Sequence, residues 1–217
     1  MTPRFAFAVD PLFSYVLDLL DRIHRSENPS PQEQRLVIQG LLEQAEAILG
    51  TGQDWVLARY AIVSWIDELL VDAPWDGAEW WSNNVLEMEL FNTRACFEQF
   101  YVRAKEASKL AQRDALEVFY ICMMLGFRGL YCDPQSQEAF AEANDLPADL
   151  EDWARQTGLS IRLGQGRPEL GPAERDLSGA PKLTSRAFPV WSWVVALMLV
   201  LAACVWFLSI SPGASGT

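Results

Sequence analysis

The sequence predicts an all-α protein: a helical domain followed by one C-terminal membrane-spanning helix. Three observations carry this. Through the first 157 residues apolar side chains recur at spacings of three and four, with helix-start and helix-stop residues between the runs. No stretch alternates with the period of two that a half-buried strand would show. Residues 188–210, FPVWSWVVALMLVLAACVWFLSI, carry no charge, and all 17 basic and 29 acidic residues of the 217-residue chain precede Phe188.

The first helix is expected to start at Asp10 as N-cap with Pro11 in its first turn, and Phe13, Val16, Leu17, Leu20 and Ile23 then share a face. In NPSPQEQ, Ser30, Pro31 and Glu33 form a capping box with proline at its preferred place, and Gly50 ends the second helix after Leu49. The third, about Asp54 to Val71, is the most apolar and stops before Pro74, which cannot continue the hydrogen-bond ladder. WWSNNVLEMELF gives a short fourth helix and Thr93 to Ala107 a fifth. Asp114 and Glu117 cap a sixth that runs to Leu125, ahead of the turn GFRGLY. Shorter helices near Ser136–Asn144 and Pro147–Thr157 bring the total to about seven or eight.

Residues 158–187 hold five glycines and three prolines with little apolar periodicity, and read as a linker. As a flexible coil it would span on the order of 30 Å. The 23 residues of 188–210 form a helix of roughly 35 Å, enough to cross a hydrocarbon core of about 30 Å with some tilt. Trp191 and Trp193 near one end and Trp206 near the other stand where aromatic anchors sit at the headgroups. Lys182 and Arg186 precede the span and no basic residue follows it, which places the domain of residues 1–157 in the cytoplasm and the tail, 211–217, in the periplasm. The N-terminus has too short an apolar run for a signal peptide.

Charge and composition exclude several functions. A net charge of -12 repels phosphate backbones and anionic leaflets, so neither nucleic acid nor peripheral lipid binding is expected. The four cysteines lack CxxC spacing and read as buried thiols in a reducing compartment. The single histidine, His24, follows a helix with no ligand partner in zinc spacing, so no histidine triad or metal cluster is expected, and RLGQGRP does not follow a strand as a phosphate loop must. No catalytic residue, cofactor or metal is expected.

The informative stretch is RYAIVSWIDELLVDAPW, where Asp67 and Glu68 sit among apolar residues. A carboxylate there demands a partner or a water-filled groove. Adjacent helical residues point about 100° apart, so the two do not form a facing dyad. Two readings stand: a solvated face or a pair with Arg59 or Arg128, and a contact for a partner protein. Trp75, Trp80 and Trp81 follow the loop PWDGAE and fit either core packing or an interface.

The blocks ARYAIVSWIDELLVDAPW, LEMELF and DALEVFYICMMLGFRGLY resemble successive signatures of the DotU/TssL (IcmH-like) family, across about residues 10–160, and the single trailing span fits the same family. NTRACFEQFY departs from the family's usual glycine pair before two phenylalanines. The resemblance implies a non-enzymatic inner-membrane subunit of the type VI secretion system, whose cytoplasmic domain is two packed helix bundles with a cleft. It implies a TssM/IcmF-like membrane partner, a TssJ-like lipoprotein reached indirectly, docking of the TssK-containing baseplate, and self-association as a homodimer. An equivalent DotU subunit of a type IVB system is the alternative, and a membrane-tethered enzyme a more distant one. Asp67 and Glu68 are then candidates for a polar contact at the cleft, and Trp75, Trp80 and Trp81 for an apolar one.

Overall fold

The computed structural model describes residues 1–132, 134–164, 197–203, 205 and 206. The chain divides into two units, Met1–Glu169 and Leu170–Thr217. In the first, the described residues are helical without strands: α1 Pro3–His24, α2 Pro31–Leu49, α3 Gln53–Asp72, α4 Ala78–Asn83, α5 Leu86–Phe91, α6 Cys96–Ala107 and α7 Asp114–Met124, then a 3-10 turn at Gly129–Cys132, α8 Pro134–Asn144 and α9 Leu150–Gly164.

α3 organises the unit. It is apolar nearly all round, as a central helix must be, and buries Trp55, Tyr60, Ile62, Trp65, Ile66 and Leu70 among others. It packs against α2, α4, α5, α6 and α7, while α1 lies along α2 and α9 along α7. Phe13 of α1 meets Trp65 at 5.2 Å between ring centroids. Beyond α3, Phe100 stacks on Phe127 at 3.9 Å and meets Phe119 edge-on at 4.8 Å, while Tyr101 meets Tyr131 and Trp153. Fully burying side chains of this size stabilises the fold by about 1.5–3 kcal/mol each, which makes this aromatic cluster a main source of cohesion.

Local capping chemistry predicts α2 well. Ser30 accepts from the Glu33 N–H, Pro31 opens the helix, and Gly50 closes it at a φ of +83°, a conformation that favours glycine. Elsewhere the elements differ from expectation for identifiable reasons. α1 begins at Pro3, not after Asp10, and Pro11 lies inside it. Pro11 and Phe7, whose carbonyl loses its intrahelical donor, are both on the exposed side, where water can take that donor's place. Leu17 is 41 % exposed and Leu19 takes its expected place in the core. The expected fourth helix is two, α4 and α5, broken at Asn84 and Val85. α6 starts three residues after Thr93, and α9 runs to Gly164, so the domain boundary expected at Thr157 falls inside a helix. Cys132 is exposed and Cys96 half-buried, which corrects the reading of all cysteines as buried; Cys122 is buried and Cys204 lies outside the described residues.

In the second unit, residues 197–203, 205 and 206 are helical. Leu197, Met198, Leu199, Val200, Leu201, Val205 and Trp206 are all more than half exposed. Consecutive apolar residues exposed around a full helical turn are costly in water and stable in lipid. Trp191 and Trp193, and the two ends of the expected span, lie outside the described residues. Asp114–Cys132 is the segment of the described residues long and apolar enough to cross a membrane, yet half of it is buried. It is α7 and the 3-10 turn, interrupted at Gly126 with φ +120°, and packs on α3 as a core element.

Candidate functional site

The two acidic residues of α3 are the centre of a network that ties helix starts together. The first N–H groups of a helix have no partner within it and need an external acceptor. Asp67 supplies one for α5: Oδ1 accepts from Leu86 N at 2.9 Å and Oδ2 from Glu87 N at 2.8 Å, while Trp81 Nε1 donates to Oδ1 at 2.9 Å. Glu68 accepts from Arg128 N at 2.6 Å and Gly129 N at 2.9 Å, closing the start of the 3-10 turn. Glu87 carries the pattern onward, accepting from Ala95 N and Cys96 N, each at 3.2 Å at the start of α6, and from the Tyr60 hydroxyl at 2.7 Å.

Asp114 does the same for α1. Its carboxylate accepts from Thr2 N at 2.6 Å and Thr2 Oγ1 at 2.7 Å, and Glu117 binds the Met1 amino group. Neither carboxylate therefore forms the capping box expected at the start of their own helix. Arg59 pairs with Glu46 at 2.8 Å, and Arg128 reaches Glu68 through its backbone. The partners of Asp67 and Glu68 are found within the fold, but they are backbone N–H groups and the Trp81 indole rather than guanidinium side chains.

These residues floor a cleft of about 220 Å³ lined by Asp67, Glu68 and Glu87, with Asp72, Arg94 and Phe97 toward its rim. Asp67 is 2 % and Glu68 8 % exposed, whereas Phe97 is 51 % exposed. Burial pushes the Asp67 carboxyl up to about 6 against the opposing pull of its three hydrogen bonds. Burial also raises Glu68, with its two backbone donors opposing. Cys96, which lines the same cleft, is raised by burial and then by Glu87, so its thiol stays protonated and a weak nucleophile. The cleft offers acceptors and an apolar wall to an incoming group. Among the described residues no set of three His, Cys, Asp or Glu side chains is placed to hold a metal ion.

The tryptophans divide. Trp81 is fully buried and bound to Asp67, while Trp75 and Trp80 are half-buried and pack around it at 6.5 and 6.2 Å. Trp75 Nε1 donates to Leu70 O at 2.9 Å, so this ring closes the end of α3. The Arg35 guanidinium lies 5.9 Å from the Trp80 ring and 5.8 Å from that of Trp81. Sequence reasoning missed Glu87, whose only local signal was a carboxylate in the apolar run LEMELF, and the cleft residues Asp72, Arg94 and Phe97, which come from the end of α3, the loop before α6 and α6 itself.

No curated protein matches the chain. The solved cytoplasmic domain of TssL from Acinetobacter baumannii aligns over 72 % of this chain and 98 % of its own length, at 24 % identity and a TM-score of 0.54, which shows a shared fold. The family model described as type VI secretion system protein DotU matches residues 4–211, spanning both the helical unit and the apolar C-terminal segment. The chain thus belongs to the DotU family of type VI secretion system proteins.

Proposed function

We propose that this chain is a non-enzymatic subunit of the type VI secretion membrane complex, which docks the cytoplasmic baseplate of the contractile tail to the inner membrane through a TssM/IcmF-like partner. The supporting observation is a family match that runs without a break from the helical unit into a helix whose exposed surface is entirely apolar. One part is built to be anchored in lipid and the other to present a shaped protein surface. The basic residues Lys182 and Arg186 ahead of the apolar run favour a cytoplasmic helical unit and a periplasmic C-terminus.

The cleft is the proposed contact. Asp67 and Glu68 serve it by holding its walls, and direct contact falls to Asp72, Arg94 and Phe97 at the rim, with the half-buried faces of Trp75 and Trp80 as an apolar surface over Trp81. The test is affinity purification of the tagged full-length protein from detergent-solubilised native membranes, followed by mass spectrometry. Recovery of a TssM/IcmF-like protein with baseplate subunits is expected, and its loss on reversing Asp72 and Arg94 together would assign the contact to the cleft. Recovery of neither partner, in a strain expressing the system, would overturn the docking role.

A further inference from the structure

Arg103 of α6 lies over the Tyr60 ring and beside that of Phe91. Its guanidinium carbon is 3.8 Å from the centroid of the Tyr60 ring and 5.7 Å from that of Phe91. The Tyr60 ring is fixed in turn by its hydroxyl's hydrogen bond to Glu87, and Phe91 meets Tyr60 edge-on at 5.0 Å. Arg59 lies 6.0 Å from the Phe91 ring, so a second guanidinium borders the same site, but its charge is spent on Glu46.

Arg103 stands apart from the other arginines. Arg4, Arg22, Arg25, Arg35, Arg59, Arg94, Arg113, Arg128 and Arg155 each donate a side-chain hydrogen bond to a carbonyl or carboxylate oxygen. Among the described residues only the exposed Arg162 and the half-buried Arg103 make none. A half-buried guanidinium has lost part of its hydration, and its contacts with two rings already restrict where it can go. The entropy cost of presenting its fork of N–H donors is therefore partly met in advance. Arginine held in this way on aromatic rings is the kind of side chain that dominates protein interfaces.

We infer that Arg103 is an anchor for a carboxylate side chain of a partner protein, which docks over the junction of α3, α5 and α6. A carboxylate matches the planar fork in a two-bond geometry. A phosphate would match it too, but phosphates of lipid surfaces and nucleic acids arrive as dense arrays of negative charge, and a chain of net charge -12 repels an array far more than one acidic side chain. The inference stands apart from the type VI reading, because it needs an acidic protein surface and no particular secretion partner.

The test uses the full-length protein in native membranes, with a photo-reactive amino acid replacing the exposed Glu106, one turn from Arg103 on α6. Ultraviolet crosslinking and mass spectrometry then identify the adduct. The expected result is an adduct to a protein segment containing Asp or Glu, with a yield that Arg103→Gln lowers on the order of thirty-fold. Arg103→Glu is expected to abolish the adduct, and changing the partner's carboxylate to arginine to restore it. An adduct to phospholipid, a yield unchanged by Arg103→Gln, or failure of the charge swap would each overturn the inference. Arg103→Lys keeps the charge without the fork; thermal midpoints of all three variants separate docking from folding, and a yield that falls only in step with the folded fraction assigns Arg103 a structural role instead.

Discussion

Replacing Asp67 offers the sharpest check on the network of carboxylate caps. In Asp67→Asn the amide oxygen can keep the place of Oδ1, with its bonds from Trp81 Nε1 and Leu86 N, but the amide nitrogen then faces the Glu87 N–H donor. One buried hydrogen bond is lost, which costs about 1–3 kcal/mol. Removing the charge also relieves the desolvation that pushes this carboxyl up, so at neutral pH the net loss is expected near 1 kcal/mol. Asp67→Ala strands three buried donors, and the cleft beside them admits water to the vacated space, which holds the loss to about 3–5 kcal/mol. Urea unfolding of the detergent-solubilised protein, followed by tryptophan fluorescence and far-ultraviolet circular dichroism, measures both variants. Equal losses for Asn and Ala, or no loss for Ala, would refute the argument that Asp67 stabilises the fold as an acceptor for α5.

Three further outcomes are expected. Because the folded Asp67 carboxyl titrates near 6, above its ordinary value, the folded state binds more protons than the unfolded state between about pH 4 and 6. The stability advantage of wild type over Asp67→Asn is therefore expected to shrink as pH rises through that window, by up to about 1.4 kcal/mol per pH unit, in paired urea titrations. Gly40 lies on the exposed face of α2 and a Cβ there would meet nothing within 4 Å, so Gly40→Ala is expected to stabilise by about 0.5–1 kcal/mol and raise the thermal midpoint. Gly129 adopts φ +49°, and a Cβ would come within 2.7 Å of the Phe127 ring and 2.9 Å of the Phe97 carbonyl oxygen; Gly129→Ala is expected to lower the midpoint and disturb the aromatic near-ultraviolet spectrum of the Phe100 and Phe127 stack.

What could be read in advance was what depends on neighbours in sequence. The Ser30 cap and the Gly50 stop lie within a few residues of the groups they satisfy, and α2 matches its expected bounds. The same local logic failed at Asp114 and Glu117, which have the spacing of a capping box. Their carboxylates instead meet Thr2 and Met1, more than a hundred residues earlier in the chain. Pro11 looked like a helix start because its own requirement is local, whereas the reason α1 continues through it is the burial of Phe5, Ala8 and Val9 ahead of it. Asp67 and Glu68 stood out because charge in an apolar run is expensive, but their donors lie 14 to 61 residues away, so the sequence marks that a partner is needed without naming it. Arg103 left no mark, since tyrosine and phenylalanine from two other helices supply its bed.

The placement of Asp67 at the start of α5 couples two parts of the chain that would otherwise loosen independently. A six-residue helix on its own would fray many times for each unfolding of the domain. The Leu86 and Glu87 amides, however, are held by a side chain of the central helix and are buried. In hydrogen exchange they should behave as though they belonged to α3, opening only when the whole unit opens, while the exposed Met88 and Glu89 at the far side of the same short helix exchange by local motion. The wall of the cleft is thus as durable as the middle of the protein, even though it is built from one of its shortest helices.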